Sequence, residues 1–209
     1  MTMADATILH RGLTWQEFLD LPDDDRYRHA ELINGEVVVT AASPLHQQIA
    51  NRLWARIDAW TREGPGGGEA TTEPGVQITE HRGYLPDVAW YRHDKCAPAG
   101  EPPAFVQPPD LAVEVLSPST RSLDAIRKRN DYAAIGVTEL WLIDPDRPEA
   151  RILRPADAVA DVFVDAETDI GPDGVLSSPL LPGFTVRLGD LVERHPSPSP
   201  VGGLASVGG

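Results

Sequence analysis

The sequence has little cysteine, no long hydrophobic run and few positive charges. Among its 209 residues the single cysteine, Cys96, excludes an internal disulfide and a zinc site built on cysteine pairs. No uninterrupted apolar segment approaches the roughly 20 residues that a membrane-spanning helix needs. The first residues also lack the apolar stretch of a signal peptide. These absences predict a protein of the reducing cytoplasm without a membrane partner.

The shortage of positive charge limits the kinds of partner we expect. There are 18 Lys and Arg residues against 32 Asp and Glu, and the formal net charge is −14. This balance argues against binding nucleic acid over the whole surface, because a phosphate backbone is bound mainly through cations. A local basic site for nucleic acid is still compatible with the acidic net charge. Basic residues concentrate within 121–129 and acidic residues within 157–173, and such runs are usually solvated surface.

The length and the shifts in composition predict one folded domain. At roughly 100–200 residues per domain, this chain suits a single domain with its own core. We expect a loose segment over 1–13, a folded domain over 14–192 and a disordered tail over 193–209. The tail is rich in Pro, Ser and Gly and has little to bury.

Local signals place helices and strands within this domain. Thr14–Glu17 has capping-box spacing and predicts a short helix that ends near Pro22. Asn34-Gly35 predicts a hairpin with a type I′ turn, and a long helix should begin at Ser43-Pro44 and end at Gly64. We expect a second long helix from about Ser122 to Gly136 and strands near 76–79, 87–91, 111–116, 139–144, 150–153, 162–164 and 184–188. This pattern indicates an α/β (mixed α+β) fold.

Two acidic residues lie in strands that otherwise have buried sequences. Alternation along 111–116 puts Glu114 on one face with Ala112 and Leu116, and Asp87 precedes another apolar run. An unpaired carboxylate there is costly. Two carboxylates from neighbouring strands would form an oxygen-rich site suited to Mg²⁺ or Mn²⁺, and without the ion their repulsion would raise one pKa. On spacing alone, a strand-end cap at Asp87 and an arginine partner for Glu114 explain the residues equally well.

The helix that follows carries a lysine on a face that can turn back toward these acids. Asp124 and Lys128 are four residues apart and share that face with Tyr132. An exposed acid–lysine pair is the more ordinary interpretation, although Lys128 is within reach of the end of the preceding strand. Glu31, on the predicted hairpin, is either a further ligand or a strand residue that faces water.

Six short motifs follow one another in a recognisable order. They are Glu31–Glu36, Ser43-Pro44 with His46, Pro86–Val88, Pro109–Thr120, Asp124 with Lys128 and Tyr132, and Gly136–Pro145. Each motif is weak alone, but the ordered set is specific. The chain resembles the Uma-type restriction-endonuclease family, within the PD-(D/E)XK nuclease superfamily, from about Thr14 to Val192.

The resemblance implies a restriction-endonuclease-like core, in which helices flank a central mixed β-sheet. It also implies Mg²⁺-dependent (or Mn²⁺-dependent) cleavage of phosphodiester bonds in DNA, often by a homodimer. Asp87 and Glu114 match the two acids of the superfamily motif. The lysine expected two residues later is replaced by Leu116, and the resemblance moves that function to Lys128. Glu31 matches an early glutamate that would hold the metal or orient the lysine.

The implied roles follow from this set. Asp87 and Glu114 would bind a cation that polarises the scissile phosphate and lowers the pKa of water. Lys128 would steer that water or stabilise charge on the phosphate oxygens. Three arginines are candidates for sequence-independent contacts to DNA phosphates: Arg121, Arg127 and Arg129.

A second class of function competes with the enzyme. A catalytically inactive protein of the same fold could serve as a dimerisation or binding module. The acidic net charge and Leu116 favour that interpretation, whereas the joint presence of Asp87, Glu114 and Lys128 favours the nuclease. An RNA-directed or structure-selective nuclease would use the same site. His46, at a helix start, is more typical of packing or hydrogen bonding than of acid–base catalysis.

Overall fold

The computed structural model describes residues 6–27, 29–40, 42–64, 67–96, 107–117, 123–156 and 162–193, with the backbone alone at Ala6, Leu123 and Asp124. The helices are α1 (Trp15–Leu19), α2 (Pro44–Glu63), α3 (Leu123–Ala134) and α4 (Leu188–Val192). Within these residues, no helix combines the length and the apolar character needed to cross a membrane.

The strands of this part of the chain form two large sheets and a short ribbon. In chain order they are β1 (Ala6–His10), β2 (Ala30–Ile33), β3 (Glu36–Thr40), β4 (Glu69–Thr71), β5 (Val76–Thr79), β6 (Arg82–Tyr84), β7 (Val88–Tyr91), β8 (Leu111–Val115), β9 (Glu139–Asp144), β10 (Glu149–Pro155), β11 (Phe163–Ile170), β12 (Val175–Ser177) and β13 (Thr185–Arg187).

The central sheet has six strands in the order β11-β10-β9-β8-β7-β4. Its inner pair, β8 and β9, is parallel, and α3 lies between these two strands in the chain; the other pairs are antiparallel. Parallel neighbours need such a crossover, which a helix commonly supplies. The predicted α/β fold with a central mixed sheet flanked by helices is confirmed.

Helices cover both faces of the central sheet. Alternate residues of β8 point to opposite sides, so Val113 packs toward α2 residues such as Leu53 and Ile57. On the other side Ala112 and Leu142 pack with α3 and with parts of the second sheet. Glu114 is two residues after Ala112 in the strand, so its side chain points to the same side of the sheet, the side covered by α3.

The second sheet is antiparallel, in the order β1-β3-β2-β6-β5. Its β2–β3 hairpin turns through Asn34 and Gly35, which have φ values of 52° and 78°. Both are positive, as the predicted type I′ turn requires. This hairpin carries Glu31 toward the end of β8.

Other local predictions agree with the structure. Thr14 and Glu17 form the capping box of α1, and the Ser43 side chain caps α2 ahead of Pro44. Gly136, with a φ of 86°, follows the end of α3. These agreements share a cause, because each signal acts through bonds between near neighbours in the chain.

The structure differs from the prediction where pairing is set by distant residues. Ala6–His10, expected within a loose segment, forms β1 because it pairs along the open edge of β3. The three-residue strands β4, β6 and β12 have too few residues for a visible alternation, and β11 extends beyond the strand expected at 162–164. The predicted tail lies outside the described residues from 194 onward.

Candidate active site

The two predicted acids meet where β7 begins and β8 ends. In the antiparallel register Val88 pairs with Val113, so the next pair outward is Asp87 and Glu114. Asp87 Oδ2 accepts the backbone N–H of Val115 at 2.7 Å, which fixes its carboxylate beside the end of β8. Both acids line one pocket. The structure therefore brings together the acids that the sequence placed on separate strands.

Glu114 is buried and both of its carboxylate oxygens accept hydrogen bonds. The Lys128 ammonium donates to Oε2 at 2.8 Å, and the Tyr132 hydroxyl donates to Oε1 at 2.7 Å. Lys128 Nζ also lies 2.5 Å from Glu31 Oε1. One helix face thus supplies two groups to Glu114, which agrees with the four-residue spacing of Lys128 and Tyr132.

Lys128 reaches the carboxylates from a helix rather than from β8. Its side chain is only 9% exposed, and Nζ lies 5.3 Å from the centre of the Tyr84 ring. Leu116, two residues after Glu114 on the strand side, lines the same pocket. The long stem of Lys128 lets its ammonium reach the carboxylates from α3.

Carboxylates outnumber lysines among the described residues of the site. Glu31, Asp87 and Glu114 contribute three carboxylates, and Lys128 is the lysine among them. Burial, opposed by the Lys128 charge and reinforced by the other two acids, raises the pKa of Glu114 from 4.5 to about 8. The direction agrees with the predicted rise of one pKa, but burial is its largest cause and repulsion between the acids is a smaller one.

His46 contacts Asp87 from the first turn of α2. Its Nε2 lies 3.2 Å from Asp87 Oδ2, and both side chains are mostly buried. Burial would lower the pKa of His46, but the hydrogen bond to Asp87 and the charges of Asp87 and Glu114 raise it. His46 therefore holds Asp87 in place, in agreement with its predicted hydrogen-bonding role.

His29 also lines the pocket, and the sequence analysis missed it. Its Nδ1 pairs with Glu73, its Nε2 lies 3.1 Å from Gln47 Nε2, and its φ is 56°. The hydrogen bond to Glu73 raises the pKa of His29. In the sequence, the one signal for His29 is its position two residues before Glu31. That signal is weak, because its partners Glu73 and Gln47 come from distant segments of the chain.

Arg127 and Arg129, two of the predicted DNA-contacting arginines, are not among the described residues that line this pocket. Arg129 donates to the Phe163 carbonyl at 2.5 Å and pairs with Asp165 on β11 at 3.6 Å. Arg127 is partly buried on α3, and Arg121 lies outside the described residues. The structure thus directs Arg129 toward the edge strand of the sheet rather than toward the acids.

The donor set suits a cation that keeps much of its water. Among the described residues, no three His, Cys, Asp or Glu side chains converge closely enough to enclose an ion. Mg²⁺ is usually bound through one or two carboxylates together with water and substrate oxygens. Asp87 and Glu114, side by side at a pocket, fit that requirement, whereas they do not fit a closed tetrahedral zinc site.

Comparisons with known proteins agree with this geometry. The crystal structure of a protein from Anabaena variabilis, titled a "putative nuclease belonging to DUF820", superposes with a TM-score of 0.68 at 21% identity. The match covers 87% of this chain and 98% of that protein, and it shows that the two share a fold. No curated protein matches this chain. The model of the Uma2 family, described as "Putative restriction endonuclease", matches residues 15–189, so the chain belongs to that family.

Proposed function

We propose that the chain is a metal-dependent endonuclease of the PD-(D/E)XK type that hydrolyses phosphodiester bonds of DNA. One observation carries the proposal: Asp87 and Glu114 adjoin at the ends of paired strands, and the Lys128 ammonium bonds Glu114 at the same pocket. Two carboxylates that can hold a divalent cation, with an amine beside them, would supply the positive charge that phosphodiester hydrolysis needs at the phosphate.

Asp87 and Glu114 would hold Mg²⁺ or Mn²⁺. When bound, the ion supplies Lewis-acid polarisation of the phosphate and makes water a stronger acid. The chain's contribution is to fix the two carboxylates in advance. The Val115 N–H and His46 hold Asp87, and the Tyr132 hydroxyl holds Glu114. Such outer partners orient metal ligands and limit their freedom.

Lys128 would act on the water or on the phosphate. Its ammonium is held between Glu31 and Glu114, so it stands at the edge of the proposed metal site without being a ligand. From there it can donate a hydrogen bond to the attacking water or to a phosphate oxygen that gains charge. Glu31 would keep the amine protonated and aimed into the pocket.

DNA is the proposed substrate. Family membership supports a nuclease, and the pocket is open to a phosphate from outside. The preference for Mg²⁺ or Mn²⁺, the homodimer and the cytoplasmic location stay predictions.

One observation favours the competing, catalytically inactive binding module. Both oxygens of Glu114 already accept a hydrogen bond, one from Lys128 and one from Tyr132. A carboxylate has about four acceptor sites, so these bonds leave room for an ion. They also show that Glu114 can be satisfied within the protein alone, as an inactive descendant would require.

Plasmid cleavage separates the two candidates. Purified full-length protein is incubated with supercoiled plasmid and Mg²⁺ or Mn²⁺, beside the Asp87→Asn variant. The nuclease predicts nicking by the wild type and loss of about 10²-fold or more in the variant, a magnitude typical for removal of a charge-stabilising group.

Asp94→Asn is the matched control, because Asp94 is an exposed acid whose 3.8 Å approach to Arg92 lies outside the site. It should cleave like the wild type. Cleavage that is equal in the wild type and in Asp87→Asn would mark a contaminant and overturn the assignment. A folded wild type that cleaves with neither metal would favour the binding module.

A further inference from the structure

A second pocket adjoins the site on the α3 side of the central sheet. It has a volume of about 190 Å³, and it shares Leu116, Ala125 and Leu142 with the pocket of the acids. Its outer wall is the β9–β10 hairpin, which contributes Arg147 and Arg151. The space suffices for a phosphate group and several water molecules. A groove thus continues from the acids toward two cations.

These two arginines differ from the others in the described part of the chain. Both are exposed, and neither guanidinium has a hydrogen bond or an ion pair. Every other arginine there has an interaction partner. In a protein of net charge −14 an arginine without any such partner is unexpected, and both of them line the groove beside the acids.

The strand register sets the direction of the groove. Leu142 on β9 pairs with Glu114 on β8 on one side and with Arg151 on β10 on the other. Directly opposed residues point to the same face of a sheet. Arg151 is therefore two strands away from Glu114 on that face, a backbone separation on the order of 10 Å.

The turn that carries Arg147 is held in shape. Asp144 is 4% exposed, and its carboxylate accepts the backbone N–H groups of Asp146 and Arg147 at 3.0 and 3.3 Å. Asp144 and Glu149 also line the pocket, so among its described lining residues two acids accompany the two arginines. A free anion would gain little there. A strand already bound at the acids would present its next phosphate to guanidinium groups that have no competing bond.

We propose that Arg147 and Arg151 bind the backbone phosphate adjacent to the scissile one, so that the nucleic-acid strand runs across β8, β9 and β10. This inference rests on the proposed function, and it assigns phosphate contact to the hairpin rather than to α3. Guanidinium groups suit the role, since their planar donors match two phosphate oxygens at once.

The test measures binding of a short fluorescent DNA duplex to the full chain in Ca²⁺ at a series of salt concentrations. Each phosphate contact adds about 0.9 to the slope of log affinity against log salt. Because both arginines are proposed to bind one phosphate, Arg147→Gln with Arg151→Gln should lower that slope by about 0.9. Arg56→Gln removes an exposed arginine from α2, on the other side of the sheet, and should leave the slope unchanged.

Single methylphosphonate linkages then locate the contact. Placed in turn along the duplex, one neutral linkage next to the cleavage position should weaken binding by the wild type but not by the double glutamine variant. Arg147→Lys with Arg151→Lys should restore most of the salt slope. A double glutamine variant that matches Arg56→Gln in slope would overturn the inference, as would a wild type that does not bind the duplex.

Failure of the nuclease proposal is distinguishable from failure of this one. A wild type that cleaves with Mg²⁺ while the hairpin variant binds with an unchanged salt slope supports the nuclease and overturns the hairpin contact. If the wild type never cleaves but the hairpin variant binds with a lower salt slope than the wild type, the phosphate contact is supported and the nuclease proposal is overturned.

Discussion

Two buried acids on the same strand segment show what separates a structural carboxylate from a candidate catalytic one. Asp110, just before β8, is fully buried and accepts the backbone N–H of Arg92 at 2.9 Å. Its carboxylate also lies 3.1 Å from Arg92 Nε and 3.0 Å from Lys95 Nζ. One acid therefore has two cations. Four residues on, Glu114 shares its lysine with Glu31.

The difference lies in charge balance and access. Asp110 contacts two cations, and its carboxylate is sealed from water. At the pocket Glu114 and Glu31 share one lysine, Asp87 contacts His46, and burial raises the pKa of Glu114. A buried group whose pKa is shifted in the folded protein marks a functional site more reliably than burial alone.

The largest expected effect comes from replacing one of the two described lysines, Lys128, by methionine. Lys128→Met should reduce DNA cleavage by about 10²–10³-fold, because the phosphate loses its hydrogen-bond donor. Mn²⁺ binding should persist, since Lys128 is no ligand. Lys95→Met is the matched control, because Lys95 pairs with Asp110 away from the pocket. Equal activity of the two variants per folded molecule would contradict the assignment of Lys128.

Asp110→Asn should act on stability instead of activity. Removing one partner of a buried ion pair costs up to about 3–5 kcal/mol, and less here because Arg92 is half exposed. Denaturant unfolding should show this loss, while cleavage per folded molecule stays at the wild-type level. Asp94→Asn should change the free energy of unfolding little, since exposed pairs contribute about 0–1 kcal/mol. Loss of cleavage in a folded Asp110→Asn protein would contradict the assignment of Asp110 as a purely structural acid.

Glu114→Gln should make the metal-free protein more stable at high pH. The pKa of Glu114 is 4.5 when unfolded and about 8 when folded, so between these values the folded state binds the additional proton. Raising the pH through this window therefore lowers the stability of the wild type. The variant, which stays neutral, should lack that fall, with Tm higher by about 2–4 °C per kcal/mol gained.

The measurement is thermal unfolding in EDTA at pH values from 5 to above 8. The two proteins should agree near the acidic end and diverge as the pH rises. Parallel curves of Tm against pH for the two proteins would show that the pKa of Glu114 is not raised in the metal-free folded protein.

The smallest expected effect concerns His29. Its hydrogen bond to Glu73 raises its pKa, so this pair stabilises the fold at low pH and the gain is lost as the pH rises through the folded pKa. In Glu73→Gln the pKa of His29 should fall, because its hydrogen-bonded acid is gone while its burial remains. NMR titration of the metal-free protein measures this shift, with Glu63→Gln as a distant control. An unchanged His29 pKa in Glu73→Gln would remove the pair from the account.

Much of the site could be predicted because its signals are local. Glu114 is an acid inside an apolar strand, and Lys128 and Tyr132 lie one helical turn apart on the face that meets it. Alternation in a strand and four-residue spacing in a helix both survive into the folded protein. The sequence therefore pointed to residues that the structure brings together, although not to their distances.

The rest depends on which segments meet. The His29–Glu73 pair, the His46–Asp87 contact and the strands β4 and β6 follow from packing between distant parts of the chain. Arg147 and Arg151 were overlooked for a related reason. Only the register of β8, β9 and β10 puts Arg151 on the face of Glu114, and the turn that follows β9 brings Arg147 to the same pocket.

The central claim is that the imbalance of charge at Asp87 and Glu114 makes a divalent-cation site. Mn²⁺ titration followed by electron paramagnetic resonance tests it without relying on catalysis. We predict one ion per chain for the wild type and for Asp110→Asn, and loss of that ion in both Asp87→Asn and Glu114→Gln. Binding that is absent from the wild type, or equal in all four proteins, would contradict the account.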